Sequence, residues 1–193
     1  MGSVVKVNAS FCFLCAFIIL TVPLQWVLSA FMGALIHELC HIMAIRLCGK
    51  HIFSVNIGIL GAEIQTETLS GWQEIFCLAA GPVGSLSLLF LFRWLPLTAL
   101  IGGIQGIFNL LPVLPLDGGR ILSSIFRSVF GNETGMRIMQ IAEGLFFFLL
   151  MSLTLCGVFL LKIGVWIAVP VILLAGNMIS RKIPCKLSQL GVQ

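Results

Sequence analysis

Long apolar runs separated by short polar connections make up most of this 193-residue chain. An α-helix needs about 20 residues to cross the hydrocarbon core of a bilayer, and six of the runs approach that length. The pattern therefore predicts an all-α polytopic membrane protein with about six transmembrane helices. The predicted spans cover roughly residues 8–23, 25–48, 72–94, 97–114, 138–161 and 163–180.

A different pattern occupies the connection between the second and third predicted spans. Residues 51–69 alternate apolar and polar side chains on both sides of Gly58 and Gly61. Such alternation around glycines is typical of two strands joined by a tight turn, so we expect a short β-hairpin associated with the membrane. An exposed edge of that hairpin could pair with an extended substrate peptide.

The connection after the fourth predicted span has helical periodicity instead. Between Arg120 and Phe130, an apolar face is opposed by Arg120, Ser124 and Arg127. This amphipathic pattern predicts a helix that lies along the cytoplasmic interface and ends at Gly131-Asn132.

Composition supports a membrane protein and excludes a soluble one. Mean hydropathy is +1.13, 59% of the residues are hydrophobic and 9% are charged. A soluble globule of this length could not bury so much apolar surface. No polar stretch is long enough for a separate soluble domain. The first run, from Ala9 to Val22, follows Lys6 like a signal peptide, but no small-residue cleavage site stands out, so we interpret it as a retained span.

Basic residues are distributed unevenly between the two sides of the predicted topology. With six spans, nine of the eleven lysines and arginines fall on the side that carries both termini, and the opposite side has only Arg93 and Lys162. Cytoplasmic loops of membrane proteins are enriched in basic residues. We therefore predict a multi-pass protein of the cell membrane with both termini in the cytoplasm.

One polar cluster, His37-Glu38-Leu39-Cys40-His41, lies within the second apolar span. On a helix, His37 and His41 are one turn apart on the same face, where both imidazoles can hold one zinc ion. Glu38 lies roughly 100° round the helix axis, from where it can reach a water molecule rather than the metal. The plainer alternative is a pair of structural histidines, but an adjacent intramembrane glutamate without a functional role costs on the order of 3 kcal/mol.

A catalytic zinc site needs a third protein ligand and an open position for water. The chain contains a single aspartate, Asp117, which the predicted topology places at a depth comparable to that of the two histidines. Pro112 and Pro115 interrupt the helix before it, and Gly118-Gly119 should let the chain turn at the ligand. The alternative for Asp117 is an interfacial carboxylate paired with Arg120.

Two distant motifs together resemble the site-2 protease family of intramembrane zinc metalloproteases. They are His37-Glu38-x-x-His41 and the segment that runs from Asn109 to Pro115-Leu116-Asp117-Gly118. The sequence Ala79-Ala80-Gly81-Pro82 in the third span is also similar to a recurrent motif of that family. The resemblance covers roughly residues 25–145.

The resemblance implies that residues 1–193 form a single intramembrane metalloprotease domain, which hydrolyses a peptide bond of a membrane-embedded or membrane-associated protein. Zn²⁺ would be held by His37, His41 and Asp117, and Glu38 would be the catalytic base. Asn109 would either hold the substrate backbone or the developing oxyanion, or serve as a helix-packing amide.

The early first motif, the short length, the six spans and the lack of a PDZ-like insertion are most similar to the subgroup of stage IV sporulation protein FB. This similarity implies regulated intramembrane proteolysis, such as maturation of a membrane-associated pro-sigma factor in sporulation. A membrane inhibitor protein is a further expected partner, and nucleic acid is not. Only about a dozen polar residues follow the sixth predicted span, so we do not expect the cystathionine-synthase-like regulatory domain of the sporulation members.

Two positions depart from the family pattern. Cys40 stands where the first motif commonly has glycine, and Ser85 replaces the asparagine often found after the Gly-Pro pair. Cys40 is small enough for close helix packing; as a zinc ligand it would point about 100° away from His41. Two alternative functions are a metal transporter that uses the histidine pair and a catalytically silent membrane scaffold. The protease is favoured because the polar candidates cluster at one depth and all four expected catalytic and ligand residues are present.

Overall fold

A computed structural model of the chain describes residues 4–7, 9–58 and 61–159, together with the single residues 171 and 176. The chain divides into two compact units, one ending at Met136 and the other beginning at Arg137. The strands are β1 (Val4–Val7), β2 (Ile52–Gly58) and β3 (Gly61–Thr66). The helices are α1 (Ala9–Thr21), α2 (Leu24–Leu47), α3 (Gly71–Ser87), α4 (Pro96–Asn109), α5 (Asp117–Phe130) and α6 (Asn132–Phe159), and a short 3₁₀ helix, Leu88–Leu91, continues α3.

Three helices in the described part of the chain are long and apolar enough to cross a membrane. They are Leu24–Leu47, Gly71–Leu91 and Asn132–Val158, which correspond to the second, third and fifth predicted spans. The expectation of a mainly helical membrane protein is thus confirmed. The helices α1 and α4 match the first and fourth predicted spans in position, but they have only 13 and 14 residues. Apart from two single positions, the sixth predicted span lies outside the described residues, so the number of six spans stays a prediction.

The predicted hairpin is present and belongs to a three-stranded sheet with the order β1-β2-β3. Strands β2 and β3 are antiparallel, with Val55 opposite Ile64 and Gly58 opposite Gly61. The sequence did not predict β1, which pairs in parallel with β2. Strand β2 therefore has a partner on both sides, and β1 and β3 form the edges of the sheet in the described part of the chain.

The sheet rests on the C-terminal end of α2 and the middle of α3. Ile52 and Ile64 pack against a buried cluster that contains Ala44, Ile45 and Cys77. Burial of these apolar side chains fixes the hairpin beside the helices.

Small residues bring α2, α3 and α4 into close contact. A Cβ atom added at Gly81 would overlap the imidazole of His41, and one added at Gly84 would overlap the thiol of Cys40. The expectation that Cys40 still permits close packing is thus consistent with the structure, because Gly84 on the facing helix provides the space. Helices that approach so closely can bring side chains from different helices into one small cluster.

The amphipathic helix begins three residues earlier than the sequence pattern indicates, at Asp117 rather than Arg120. Gly118 and Gly119 lie within its first turn, so the expectation that they form a turn at the ligand was wrong. Their role is close approach, because a Cβ atom at either position would overlap the backbone of the preceding loop at Leu110 or Val113. The helix ends as predicted, at Gly131, whose φ of +81° favours glycine.

Candidate metal centre

The long apolar helix α2 carries the two histidines on its buried face. His37 and His41 are four residues apart, and their side chains therefore lie one above the other. The ring centroids are 4.7 Å apart and the two Nε2 atoms are 3.1 Å apart. Both residues are buried, with exposures of 4% and 8%.

The first residue of α5 completes the cluster. Asp117 Oδ2 lies 3.0 Å from His37 Nε2 and 3.2 Å from His41 Nε2. In the described part of the chain these three residues form the group that could hold a metal ion. Within the described part of the chain, Asp117 forms ion pairs with the two histidines. The alternative partner, Arg120, is exposed.

The spacing of the three atoms suits a small tetrahedral cation. Ligands about 2.0 Å from a zinc ion in tetrahedral geometry are separated from one another by about 3.3 Å. The three observed separations, 3.0, 3.1 and 3.2 Å, are close to that value. Two imidazoles and one carboxylate also leave a coordination position open, which is typical of catalytic zinc sites.

The outer nitrogen of each imidazole has a partner that orients the ring. His41 Nδ1 donates a hydrogen bond of 2.7 Å to the carbonyl oxygen of Cys77. A neutral imidazole with its proton on Nδ1 presents a lone pair at Nε2. Nδ1 of His37 similarly lies 2.9 Å from Ser85 Oγ, which can accept a hydrogen bond from the Nδ1–H group. The converging atoms are then all electron-pair donors, so the chemistry of the donor set fits a cation at their centre.

Ser85 is the site residue that sequence reasoning missed. It is fully buried on α3, and its hydroxyl contacts the first histidine ligand. The sequence placed it only as a departure from a family motif. The sequence did contain one signal for it. Ser85 follows Gly81 by four residues, so both lie on the face of α3 that packs against the histidines.

The electrostatics of the cluster favour an ionised Asp117. Burial alone raises the pKa of this carboxyl, but when His37 and His41 are protonated, their hydrogen bonds and positive charges outweigh burial and lower the pKa to about 2. The carboxylate is therefore charged at neutral pH and available as a ligand.

The other two predicted site residues lie beside the cluster and are half-buried. Glu38 follows His37 on α2, and its charge is close enough to interact with the imidazole of His41. Asn109 is the last residue of α4, and its Nδ2 lies 3.4 Å from His37 Nε2. The structure thus brings Asn109 next to the candidate metal centre.

Part of the chain is similar to a known family of peptidases. Residues 63–153 match the description of peptidase family M50. A protein of Synechocystis sp. assigned as a zinc metalloprotease is 32% identical over 122 residues, which cover 55% of this chain and 32% of that protein. This chain thus spans about a third of the relative's length.

The fold has a counterpart among solved structures. The site-2 protease from Methanocaldococcus jannaschii matches with a TM-score of 0.60 and 19% sequence identity, over 88% of this chain and 86% of that chain. The comparisons support the family as a whole rather than the sporulation subgroup.

Three observations therefore agree: the two sequence motifs, their convergence in space and the family match over residues 63–153. The motifs supply all the residues of the candidate metal centre, and the matched region contains Asn109 and Asp117. Residues 63–153 are thus similar to peptidase family M50, and the chain shares the fold of a solved site-2 protease.

Proposed function

We propose that this protein is an intramembrane zinc metalloprotease that hydrolyses a peptide bond of a membrane-embedded or membrane-associated protein. The observation that carries the proposal is the convergence of His37, His41 and Asp117 to within 3.0–3.2 Å of one another, next to Glu38. The match of residues 63–153 to peptidase family M50 supports it.

The ligand residues would be His37 and His41 through Nε2 and Asp117 through its carboxylate. A zinc ion bound there supplies Lewis-acid activation of a water molecule and of the scissile carbonyl. Cys77 and Ser85 hold the two imidazoles in the orientation that ligation needs. These contacts preorganise the site before any substrate arrives.

Glu38 is the proposed general base and acid. A carboxylate on the same helix as the ligands, one residue after His37, can take a proton from the attacking water and then deliver it to the leaving amine. Its half-buried position is consistent with this exchange, because a proton-transfer group must reach both water and substrate.

Asn109 is the proposed substrate-positioning residue. Its amide is 3.4 Å from His37 Nε2, so a peptide bound at the centre would lie within reach of an amide N–H. That donor can hold a carbonyl oxygen of the substrate or the charge that develops on it.

The substrate must expose a peptide bond, which a transmembrane helix hides in its own hydrogen bonds. We propose that an unwound substrate segment pairs with an edge of the sheet. Strand β2 is paired on both sides, so the candidate edges are those of β1 and β3.

The wider setting follows from the sequence. We propose a multi-pass protein of the cell membrane with cytoplasmic termini, acting in regulated intramembrane proteolysis. Maturation of a sporulation pro-sigma factor is the specific case that the sequence resemblance supports, and a membrane inhibitor protein is a fitting regulatory partner.

The deciding experiment uses detergent-purified protein with a panel of single-span proteins reconstituted as substrates. We expect cleavage that requires zinc, stops on addition of a chelator and is lost in Glu38→Gln. If the wild type and Glu38→Gln both bind zinc and neither cleaves any protein of the panel, the result would favour the transporter or the scaffold. Zinc transport into vesicles would then separate these two alternatives.

A further inference from the structure

A polar contact joins the start of α3 to the middle of α5. Glu74, in the first turn of α3, accepts a hydrogen bond of 2.8 Å from Ser124 Oγ through Oε2. Its other oxygen, Oε1, lies 3.5 Å from Arg127 Nη2. Ser124 is buried, with 5% exposure. One carboxylate thus holds two successive turns of α5.

This contact lies on the helix that carries the third metal ligand. Ser124 follows Asp117 by seven residues, which is about two helical turns, so both residues lie on the same side of α5. On α3, Glu74 precedes Cys77 by three residues, and the carbonyl of Cys77 orients His41. One segment of α3 therefore contacts both a histidine ligand and the helix of the aspartate ligand.

The first turn of α5 is attached separately. Gly118 and Gly119 pack directly on the backbone of the preceding loop, at Leu110 and Val113. A helix attached only at its first turn can pivot about that point. The hydrogen bond at Ser124, about 10 Å further along the axis, adds a polar attachment that holds α5 against α3.

We propose that Glu74 is a positioning residue for the metal centre. By holding α5 against α3, it sets where the Asp117 carboxylate stands relative to His37 and His41, and hence how tightly the three bind the metal. The inference rests on the proposed function, in which these residues hold zinc.

The charges at the contact suit their places on the two helices. The Glu74 carboxylate lies at the N-terminal end of α3, and Arg127 lies in the last turn of α5. Helix dipoles favour a negative charge at the N-terminal end of a helix and a positive charge at its C-terminal end. The ion pair itself is partly exposed and contributes little, so the hydrogen bond to buried Ser124 is the main attachment.

The test measures metal binding by the full chain in detergent, independently of activity. Zinc affinity is determined by competition with a chelator, and the absorption spectrum of the Co²⁺-substituted protein reports coordination geometry. Glu74→Ala and Ser124→Ala should each weaken zinc binding by about tenfold and alter the Co²⁺ spectrum. Glu74→Gln keeps an acceptor for Ser124 and should cause a smaller loss. The double variant Glu74→Ala, Ser124→Ala should lose no more than either single variant.

Thr98→Val is the matched control. It removes another hydrogen bond between helices, that of Thr98 Oγ1 to Ser29 Oγ at 3.2 Å, which involves α4 and α2 but not α5. Its zinc affinity and Co²⁺ spectrum should equal those of the wild type. An equal loss in this control would show that any loosening of the bundle weakens the site, and the positioning role would be wrong.

Other outcomes are also decisive. Wild-type affinity and spectrum in both Glu74→Ala and Ser124→Ala would overturn the inference while leaving the proposed function intact. A wild-type protein that binds no zinc would refute the proposed function instead. If Glu74→Ala does not elute as a folded species in size-exclusion chromatography, Ser124→Ala decides, because it leaves the Glu74–Arg127 pair in place.

Discussion

Ser85→Ala tests whether the contacts around the histidines hold the metal centre together. The substitution removes one oxygen atom, the Oγ that lies 2.9 Å from His37 Nδ1. Ser85 has 0% exposure, so bulk water has no direct access to replace the lost partner. Alanine is a good helix former, and α3 itself should be unaffected.

The expected magnitude follows from the two states of His37. With a metal bound at Nε2, the imidazole proton must be on Nδ1, where the variant leaves it buried without an acceptor. Such a group costs about 1–3 kcal/mol. Without metal, the proton can be on Nε2 instead, and the Nε2–H group then donates a hydrogen bond to Asp117 Oδ2 at 3.0 Å. The penalty thus applies mainly to the metal-bound state, and zinc affinity should fall by about 5- to 150-fold.

The assay is chelator competition for zinc with the detergent-solubilised variant. Ser87→Ala is the control: it removes a hydroxyl from the same helix, but one that bonds to the carbonyl of Gly84 instead of a histidine. Zinc affinity should be unchanged in Ser87→Ala. If Ser85→Ala binds zinc as tightly as the wild type, Ser85 does not hold the His37 proton on Nδ1 in the metal-bound state.

Three further predictions concern the same chain. Gly81→Ala should abolish or severely weaken zinc binding, because the new Cβ would overlap the imidazole of His41. Gly144→Ala should bind zinc normally, since none of the described residues has an atom within 4 Å of the added Cβ; equal zinc contents in the two variants would contradict the packing. Glu38→Gln should retain zinc while turnover falls by at least about 10²-fold, since the base is lost and the ligands are not; wild-type turnover would show that Glu38 is not the base. A reporter fused after Gln193 should give a cytoplasmic signal, as the distribution of basic residues predicts, and an exterior signal would overturn the six-span topology.

The ligand set could be predicted from the sequence because each member has a distinct local or compositional signal. His37 and His41 have the four-residue spacing that a helix requires, and Asp117 is the single aspartate. The helices and the hairpin could likewise be predicted from the pattern of apolar and polar residues. Alternation around Gly58 and Gly61 indicated the strands, and the observed register places these two glycines opposite each other.

What the sequence did not contain was the contact pattern between distant helices. The pairing of β1 with β2 is long-range, and a four-residue strand next to an apolar helix has no periodicity of its own. The contacts of Ser85 with His37 and of Glu74 with Ser124 likewise join residues about 50 positions apart. Glycines at Gly118 and Gly119 indicate either a turn or close packing, and only the neighbouring backbone distinguishes the two.

The arrangement of α2 explains how a polar centre can exist among apolar helices. Most of its exposed positions are apolar, as at Leu35, Leu39 and Met43, while its histidines face inward with 4% and 8% exposure. An unsatisfied polar group in hydrocarbon costs several kcal/mol, so the histidines and Asp117 must satisfy one another or hold a cation. The close approach of α3 at Gly81 makes that possible, because it brings the carbonyl of Cys77 and the hydroxyl of Ser85 to the rings. The small residues of α3 therefore provide the space that the metal centre needs.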